Sequence, residues 1–240
     1  MDTNIYTIIS NRQLTSSVFE MKLEGDTSMI TAPGQFVNIK LEGFYLRRPI
    51  SICDWNEHEL TIVYKTVGQG TKAMAQMEPG TELDILCSLG NGYDLEKIPA
   101  EPVLAGGGVG VPPMYGLAKS LIAQGKKPTV ILGFNTEHEV FYEDEFKALG
   151  AVVKVMTADG SYGNKGFVTD GFDTAEYACA CGPEVMLRAV ASKADDGQYS
   201  FEARMACGFG GCMGCSCETK YGAKRICKEG PVLEQEEIIW

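Results

Sequence analysis

Four cysteines near the end of the chain, Cys207, Cys212, Cys215 and Cys227, have four, two and eleven residues between them. Three thiolates in one loop with a fourth supplied from further along is the ligand spacing of a plant-type [2Fe-2S] cluster. Glycines 208, 210, 211 and 214 lie among the first three. A loop wrapped around inorganic sulfide needs positive backbone dihedrals and close approach of N–H groups to sulfur, and glycine permits both. The chemistry of such a set is single-electron transfer. Structural zinc is the competing occupant, but zinc normally takes well-separated Cys-x2–4-Cys knuckles. Cys217, two residues after Cys215, is a possible substitute ligand, and the spacing is satisfied without it. Disulfides fit poorly, because the opening MDTNIYTIIS lacks the basic and apolar regions of an export signal, which makes the cytoplasm the expected compartment.

A second constellation is Gly106-Gly107-Gly108-Val109-Gly110, followed by Val111-Pro112-Pro113-Met114. Proline suits a first helical turn, and a glycine loop feeding a helix offers free amides and a positive dipole end to a pyrophosphate. A G-x-G-x-x-G frame begun at Gly106 would end on Val111, so this is not the Rossmann fingerprint, and a plain tight turn is the alternative. A third constellation lies earlier. Arg47-Arg48-Pro49-Ile50-Ser51 reads as a strand with a basic pair and a hydroxyl, and Val63-Tyr64-Lys65 leads into Gly68-Gln69-Gly70-Thr71, a strand entering a helix. Arginine makes bidentate phosphate contacts, tyrosine can stack on a flavin, and the amides of Gly70 and Thr71 can take phosphate oxygens. A surface arginine pair and a core tyrosine are the plainer reading of the same residues.

The elements that must position these residues fall into three territories. Short β-rich runs at Val18–Leu23, Gln35–Leu41, Leu60–Val67 and Glu82–Leu86, parted by Gly, Pro and Asn turns, predict an antiparallel barrel or sandwich over 1–98. After the connector IPAEP at 98–102, strand patterns at Val103–Ala105, Thr129–Gly133, Val152–Met156 and Tyr177–Ala180 alternate with helical patterns at Tyr115–Gln124, Val140–Leu149 and Glu184–Ala191. That alternation predicts a parallel sheet with crossover helices over 102–196. The remainder, 198–240, is too short for its own core and is expected to fold around the metal cluster. With 240 residues, 45% of them apolar, the chain can bury a substantial core. Its net charge of −11 argues against nucleic acid and anionic membrane, and no apolar stretch is long enough to span a bilayer.

This order of parts resembles the ferredoxin-NADP reductase-like flavoproteins. The match rests on Arg48–Ser51, Gly68–Thr71, Gly106–Met114 and Cys181-Gly182-Pro183. More closely, the chain resembles electron-transfer subunits of NAD-dependent dihydroorotate dehydrogenases. There it matches through Leu46–Ile52, Gly106–Pro113, Asp159–Gly163 with Gly166–Asp170, and the terminal cysteine loop. The resemblance implies an FAD-binding barrel, an NAD-binding α/β domain and a small [2Fe-2S] module. FAD would be held by Arg48, Pro49, Ile50, Ser51, Val63, Tyr64, Lys65, Gly70 and Thr71. NAD(H) would be held by Gly106, Gly107, Gly108, Gly110, Cys181, Gly182 and Pro183. Cys181 would then sit beside the nicotinamide, or else be a small buried core residue. No catalytic acid or base is implied, and His58 and His138 read as surface residues.

The implied partner is an FMN-containing catalytic subunit that oxidises dihydroorotate in pyrimidine biosynthesis, in a heterotetramer with two of each subunit. Subunits of sulfide dehydrogenases and of NADH-dependent ferredoxin:NADP oxidoreductases share the arrangement. A zinc-binding, nucleotide-sensing module is the non-enzymatic alternative. The segment Gly133–Glu139 carries acidic residues and no Arg or Lys. That composition suits a free ribose hydroxyl and hence NADH over NADPH.

Overall fold

The computed structural model describes residues 3–240. Strands β1 (Thr3–Gln13), β2 (Val18–Glu24), β3 (Phe36–Ile39), β4 (Arg48–Trp55) and β5 (Glu59–Lys65), the short helix α1 (Gln69–Met74) and β6 (Glu82–Leu89) form the first unit. The six strands close into an antiparallel barrel in the order β1-β2-β5-β4-β3-β6. Period-two patterning explains the closure: in β2, Met21 and Leu23 point inward while Lys22 and Glu24 face water. Tyr6, Ile8, Ile39, Ile52, Ile62 and Ile85 fill the interior with them, joined by Met74 of α1. Each such side chain contributes roughly 1.5–3 kcal/mol by leaving water.

The second unit runs β7 (Val103–Gly107), α2 (Val111–Ala123), β8 (Thr129–Phe134), α3 (Glu143–Ala148), β9 (Val152–Thr157), β10 (Asn164–Lys165), β11 (Ala175–Cys181), α4 (Glu184–Ala191) and β12 (Ala194–Ser200). Beyond it come the hairpin β13 (Ser216–Thr219) and β14 (Gly222–Arg225), then β15 (Val232–Glu234). The main sheet has the order β10-β9-β8-β7-β11-β12-β15. All its pairs are parallel except β12 with β15. Strand order reverses beside β7, which opens a crevice at the carboxyl ends of β7 and β11.

Two expectations differ from this arrangement. The helical pattern at Val140–Leu149 shortens to α3, because Tyr142 takes a left-handed conformation (φ 69°) and turns its ring against the barrel. The seam expected between 196 and 198 lies inside β12, whose sequence ADDGQYS has none of the β-branched residues that mark strands. Interior contacts hold that strand instead. Gln198 is buried, accepts the Asp94 N–H (2.7 Å) and donates to Tyr177 (2.8 Å).

The terminal residues also do more than surround the cysteines. β15 extends the nucleotide sheet, and Ile226, Leu233 and Ile238 share a core with Ala178, Leu187 and Tyr199. Among the described residues no helix is long and apolar enough to cross a membrane.

Candidate functional site

The four cysteines of the spaced set form two pairs, Cys207 with Cys212 and Cys215 with Cys227, each within side-chain hydrogen-bonding reach. Among the described residues, no three Cys, His, Asp or Glu side chains surround a common point. Two thiolates per metal is what each iron of a two-iron cluster takes from a protein. Every one of the four sulfurs accepts a backbone amide. Gly211 donates to Cys207 (3.3 Å), Gly214 to Cys212 (3.5 Å), Cys227 to Cys215 (3.4 Å) and Gly210 to Cys227 (3.1 Å). These donors favour the charged thiolate, the form that ligates metal. At Cys207 burial works the other way, yet the amides of Phe209, Cys212 and Gly211 and the Cys212 side chain outweigh it and bring the thiol down to about 6, whereas at Cys227 burial and the hydrogen bond with Cys215 prevail and push the thiol up to about 12. Cys217 lies on β13, half-buried, and packs against the apolar cluster beneath the loop. The donor set therefore fits a [2Fe-2S] centre. Arg225 closes the loop's far side by donating to the Gly210 carbonyl (2.6 Å).

A cleft of about 380 Å3 opens between barrel and nucleotide unit. β4 supplies Arg48, Pro49, Ile50 and Ser51, β5 supplies Val63, Tyr64 and Lys65, and Thr71 and Cys181 complete the residues named from sequence. Gly70 stands behind them. A Cβ there would lie 2.2 Å from Nε of Arg48, so the bare backbone is what lets the guanidinium lie across α1, over the Phe44 ring at 4.9 Å. The Thr71 hydroxyl accepts the Val67 and Gly68 amides (3.0 and 3.2 Å), which fixes the turn entering α1. Tyr64 is buried and donates to Asn11 (2.9 Å).

A second cleft, about 640 Å3, lies at the crevice of the parallel sheet. Gly107, Gly108 and Pro183 line it, with Asn135 and Glu139 at the end of β8. Gly106, Gly110 and Gly182 serve packing behind that surface. A Cβ on Gly110 would fall 2.0 Å from the Cys181 carbonyl oxygen, one on Gly106 2.8 Å from Val111 Cα, and one on Gly182 2.7 Å from the Met186 methyl. The two clefts share Lys65, Val109 and Glu202, so they form one continuous groove. Cys181 sits on its wall, buried, and burial pushes its thiol up to about 12. His58 and His138 are exposed.

Sequence reading missed Phe36, Val109, Phe201, Glu202, Ala203 and Met205 on the groove wall. The stretch 201–203 directly follows β12. Once β12 is recognised as a strand, the rule that ligands bind beyond strand carboxyl ends brings those residues into the groove.

A closed antiparallel barrel, a parallel nucleotide sheet with its crevice facing that barrel, and a terminal cysteine loop together define an NAD-dependent oxidoreductase of the ferredoxin reductase type. Residues 104–192 match the oxidoreductase NAD-binding domain, and residues 202–239 match the iron–sulfur cluster binding domain of dihydroorotate dehydrogenase B. The chain belongs to the family of dihydroorotate dehydrogenase B (NAD(+)) electron transfer subunits. It is 44% identical to that subunit from Fusobacterium nucleatum, covering 97% of this chain and 96% of the relative. With the Geobacillus kaustophilus subunit it shares 41% identity over 97% of each. Among solved structures, an NADH-dependent reduced ferredoxin-NADP oxidoreductase superposes with TM-score 0.86 at 30% identity, over 98% of this chain and 90% of that one. The cytochrome b5 reductase domain of Ulva prolifera nitrate reductase shares the fold, with TM-score 0.64 at 16% identity over 80% of this chain and 91% of that one.

Proposed function

We propose that this chain draws electrons from NADH and delivers them, through FAD and a [2Fe-2S] cluster, to an FMN-containing catalytic subunit that oxidises dihydroorotate to orotate. The observation that carries the reading is the continuity of three features. A groove runs from the nucleotide crevice into the barrel cleft through Lys65, Val109 and Glu202. The cysteine loop leans on the same barrel, where Asn38 of β3 donates to the Cys207 carbonyl (3.1 Å).

FAD, when bound, would supply acceptance of one hydride, a two-electron equivalent, from NADH, and the [2Fe-2S] cluster would supply one-electron acceptance, which together would convert two-electron into one-electron traffic. The chain's own residues supply position. Arg48, with Ser51 on the same strand and the amides entering α1, is suited to the FAD pyrophosphate, and Tyr64 and Ile50 to its ring wall. Gly107 and Gly108 let the backbone approach NADH, and Asn135 and Glu139 suit its ribose. Cys181 stays protonated and apolar beside the nicotinamide; orientation is its role, since hydride transfer requires no acid or base there. Cys207, Cys212, Cys215 and Cys227 would hold the cluster. Assembly with two copies of each subunit is part of the same reading, and nine free cysteines suit a reducing compartment such as the cytoplasm.

The test is anaerobic titration of the purified chain with NADH, followed by visible absorbance and low-temperature EPR, then capture of the FMN subunit. Flavin bleaching with a rhombic reduced-cluster signal and a captured dihydroorotate-oxidising partner is the expected result. A colourless zinc protein would overturn it, and capture of a ferredoxin-type partner instead would move the chain to the chemistry of its structural neighbour.

A further inference from the structure

Asn38 is buried in β3, and its Oδ1 is the one buried side-chain oxygen or nitrogen without a hydrogen-bond partner among the described residues. Such an oxygen carries a desolvation penalty that an apolar side chain at the same place would avoid. Barrel stability therefore does not explain the residue. Its Nδ2 does something specific: it donates to the carbonyl of Cys207, 169 positions away in sequence (3.1 Å). The following residue is shaped to admit it. Gly208 has φ 76°, and a Cβ there would lie 2.3 Å from the same Nδ2.

The strand that carries Asn38 is also part of the flavin cleft. Asn38 faces Pro49 across the β3–β4 ladder, and both Pro49 and Phe36, two residues before Asn38 on the same face, line that cleft. Phe36 packs in one apolar cluster with Cys215 and Cys227. The backbone at this point is fixed as well, because Arg47 donates to the Asn38 carbonyl (3.3 Å) and to the Asp84 carbonyl (2.9 Å).

We infer that Asn38 is a positioning residue for the step from flavin to cluster: its carboxamide pins the first cluster ligand to the strand that walls the flavin. The inference rests on the function proposed above. It differs from an assignment of ligands, since Asn38 touches no sulfur and acts through the Cys207 backbone. Groups that orient a metal ligand from behind typically change affinity or activity 10–100-fold when removed.

The test uses the full chain loaded with both cofactors, as Asn38→Leu and Asn38→Asp variants. Both lose the donor at similar shape. Stopped-flow reduction by NADH separates flavin bleaching from cluster reduction, and EPR with a redox titration reads the cluster directly. The expected result is unchanged flavin content and bleaching rate, cluster reduction slowed roughly 10-fold, and a shifted g-tensor and midpoint potential. Cluster reduction, g-values and potential all equal to wild type in both variants would overturn the inference. Flavin bleaching slowed as much as cluster reduction would also overturn it, since that marks a general loss of barrel integrity. A wild-type chain without a reduced-cluster signal would overturn the proposed function and this inference together, a result distinct from either variant outcome.

Discussion

The Tyr142 hydroxyl donates a 2.6 Å hydrogen bond to Glu20, joining the nucleotide unit to the barrel at a point sealed from solvent. Glu20 sits on the outer face of β2, where alternation alone would leave it in water, and the left-handed backbone at Tyr142 brings the ring over it. Arg12 holds the other carboxylate oxygen at 3.1 Å, and the Cys53 thiol donates to the tyrosine oxygen at 3.5 Å. Replacing Tyr142 with Phe strips a buried carboxylate of a donor, at a cost of about 1–3 kcal/mol. Urea unfolding of Tyr142→Phe is expected to show a lowered midpoint, and an unchanged midpoint would mean that the bond contributes nothing to the seam.

Gly110 meets the Cys181 carbonyl so closely that no side chain fits, and both partners are backbone. Gly110→Ala must push α2 away from β11, an overpacking cost of about 1–3 kcal/mol. Gly110 directly follows Gly107, Gly108 and Val109, which line the second cleft, so KM for NADH is expected to rise more than flavin content falls. Equal KM in the two proteins would count against Gly110 as a spacer for the crevice.

Cluster ligation can be separated from bystander chemistry by two serine substitutions. Cys215→Ser is expected to lose iron and the EPR signal, whereas Cys217→Ser keeps both, because the buried Cys215 sulfur accepts the amide of Cys227, another cysteine of the spaced set, while Cys217 lies on β13. Iron analysis of the purified variants decides it. Retention by the first or loss by the second would exchange the roles of the two cysteines.

Burial raises the thiol of Cys181 from 9.0 to about 12, and raises those of Cys53 and Cys179 as well. A group raised in the folded state favours folding fully below its unfolded value and loses that contribution as pH climbs to the folded one. Stability is therefore expected to hold up to about pH 9 and to decline from there toward pH 12. Denaturant midpoints across that range test the sign. At pH 8, iodoacetamide is expected to leave Cys181 unmodified, since only the thiolate reacts.

Asn135 and Glu139 at the end of β8 form a local pair, with Glu139 accepting both the backbone and side-chain N–H groups of Asn135. Glu139, whose other carboxylate oxygen lies 4.0 Å from Lys65 Nζ, would disfavour a 2′-phosphate at this end of the cleft. kcat/KM for NADH is expected to exceed that for NADPH, and Glu139→Lys is expected to narrow the gap. Equal values for the two coenzymes in the unaltered chain would rule this selectivity out.

How much of this was legible in the sequence depended on the kind of signal. The cysteine spacing, the strand rich in arginine and proline, and the glycine run are local patterns; Arg48–Ser51 line the first cleft, Gly107 and Gly108 the second, and the four cysteines come together as two pairs. Glycines looked alike in sequence and divide in space: Gly107 and Gly108 face the groove while Gly106 and Gly110 pack behind it. That division depends on which neighbour approaches each Cα, which spacing does not record. β12 was hidden for the same reason. Its stability comes from Gln198 bonded to Asp94 and from Gly197 lying under the Ala178 carbonyl, contacts made by distant segments. Asn38 carried no local signal at all, since its partner lies 169 residues away.

β15 is the outermost strand of the nucleotide sheet, and it is contributed by the segment that also holds the cysteines. Without it β12 would present a bare row of amides and carbonyls, the kind of edge through which chains self-associate. The electron-exit module is thus also the selvedge that keeps the dinucleotide sheet from fraying into aggregates. A chain trimmed to its first two units would leave that edge of β12 unpaired, and transplanting this exit onto another reductase would require a replacement hem for the sheet.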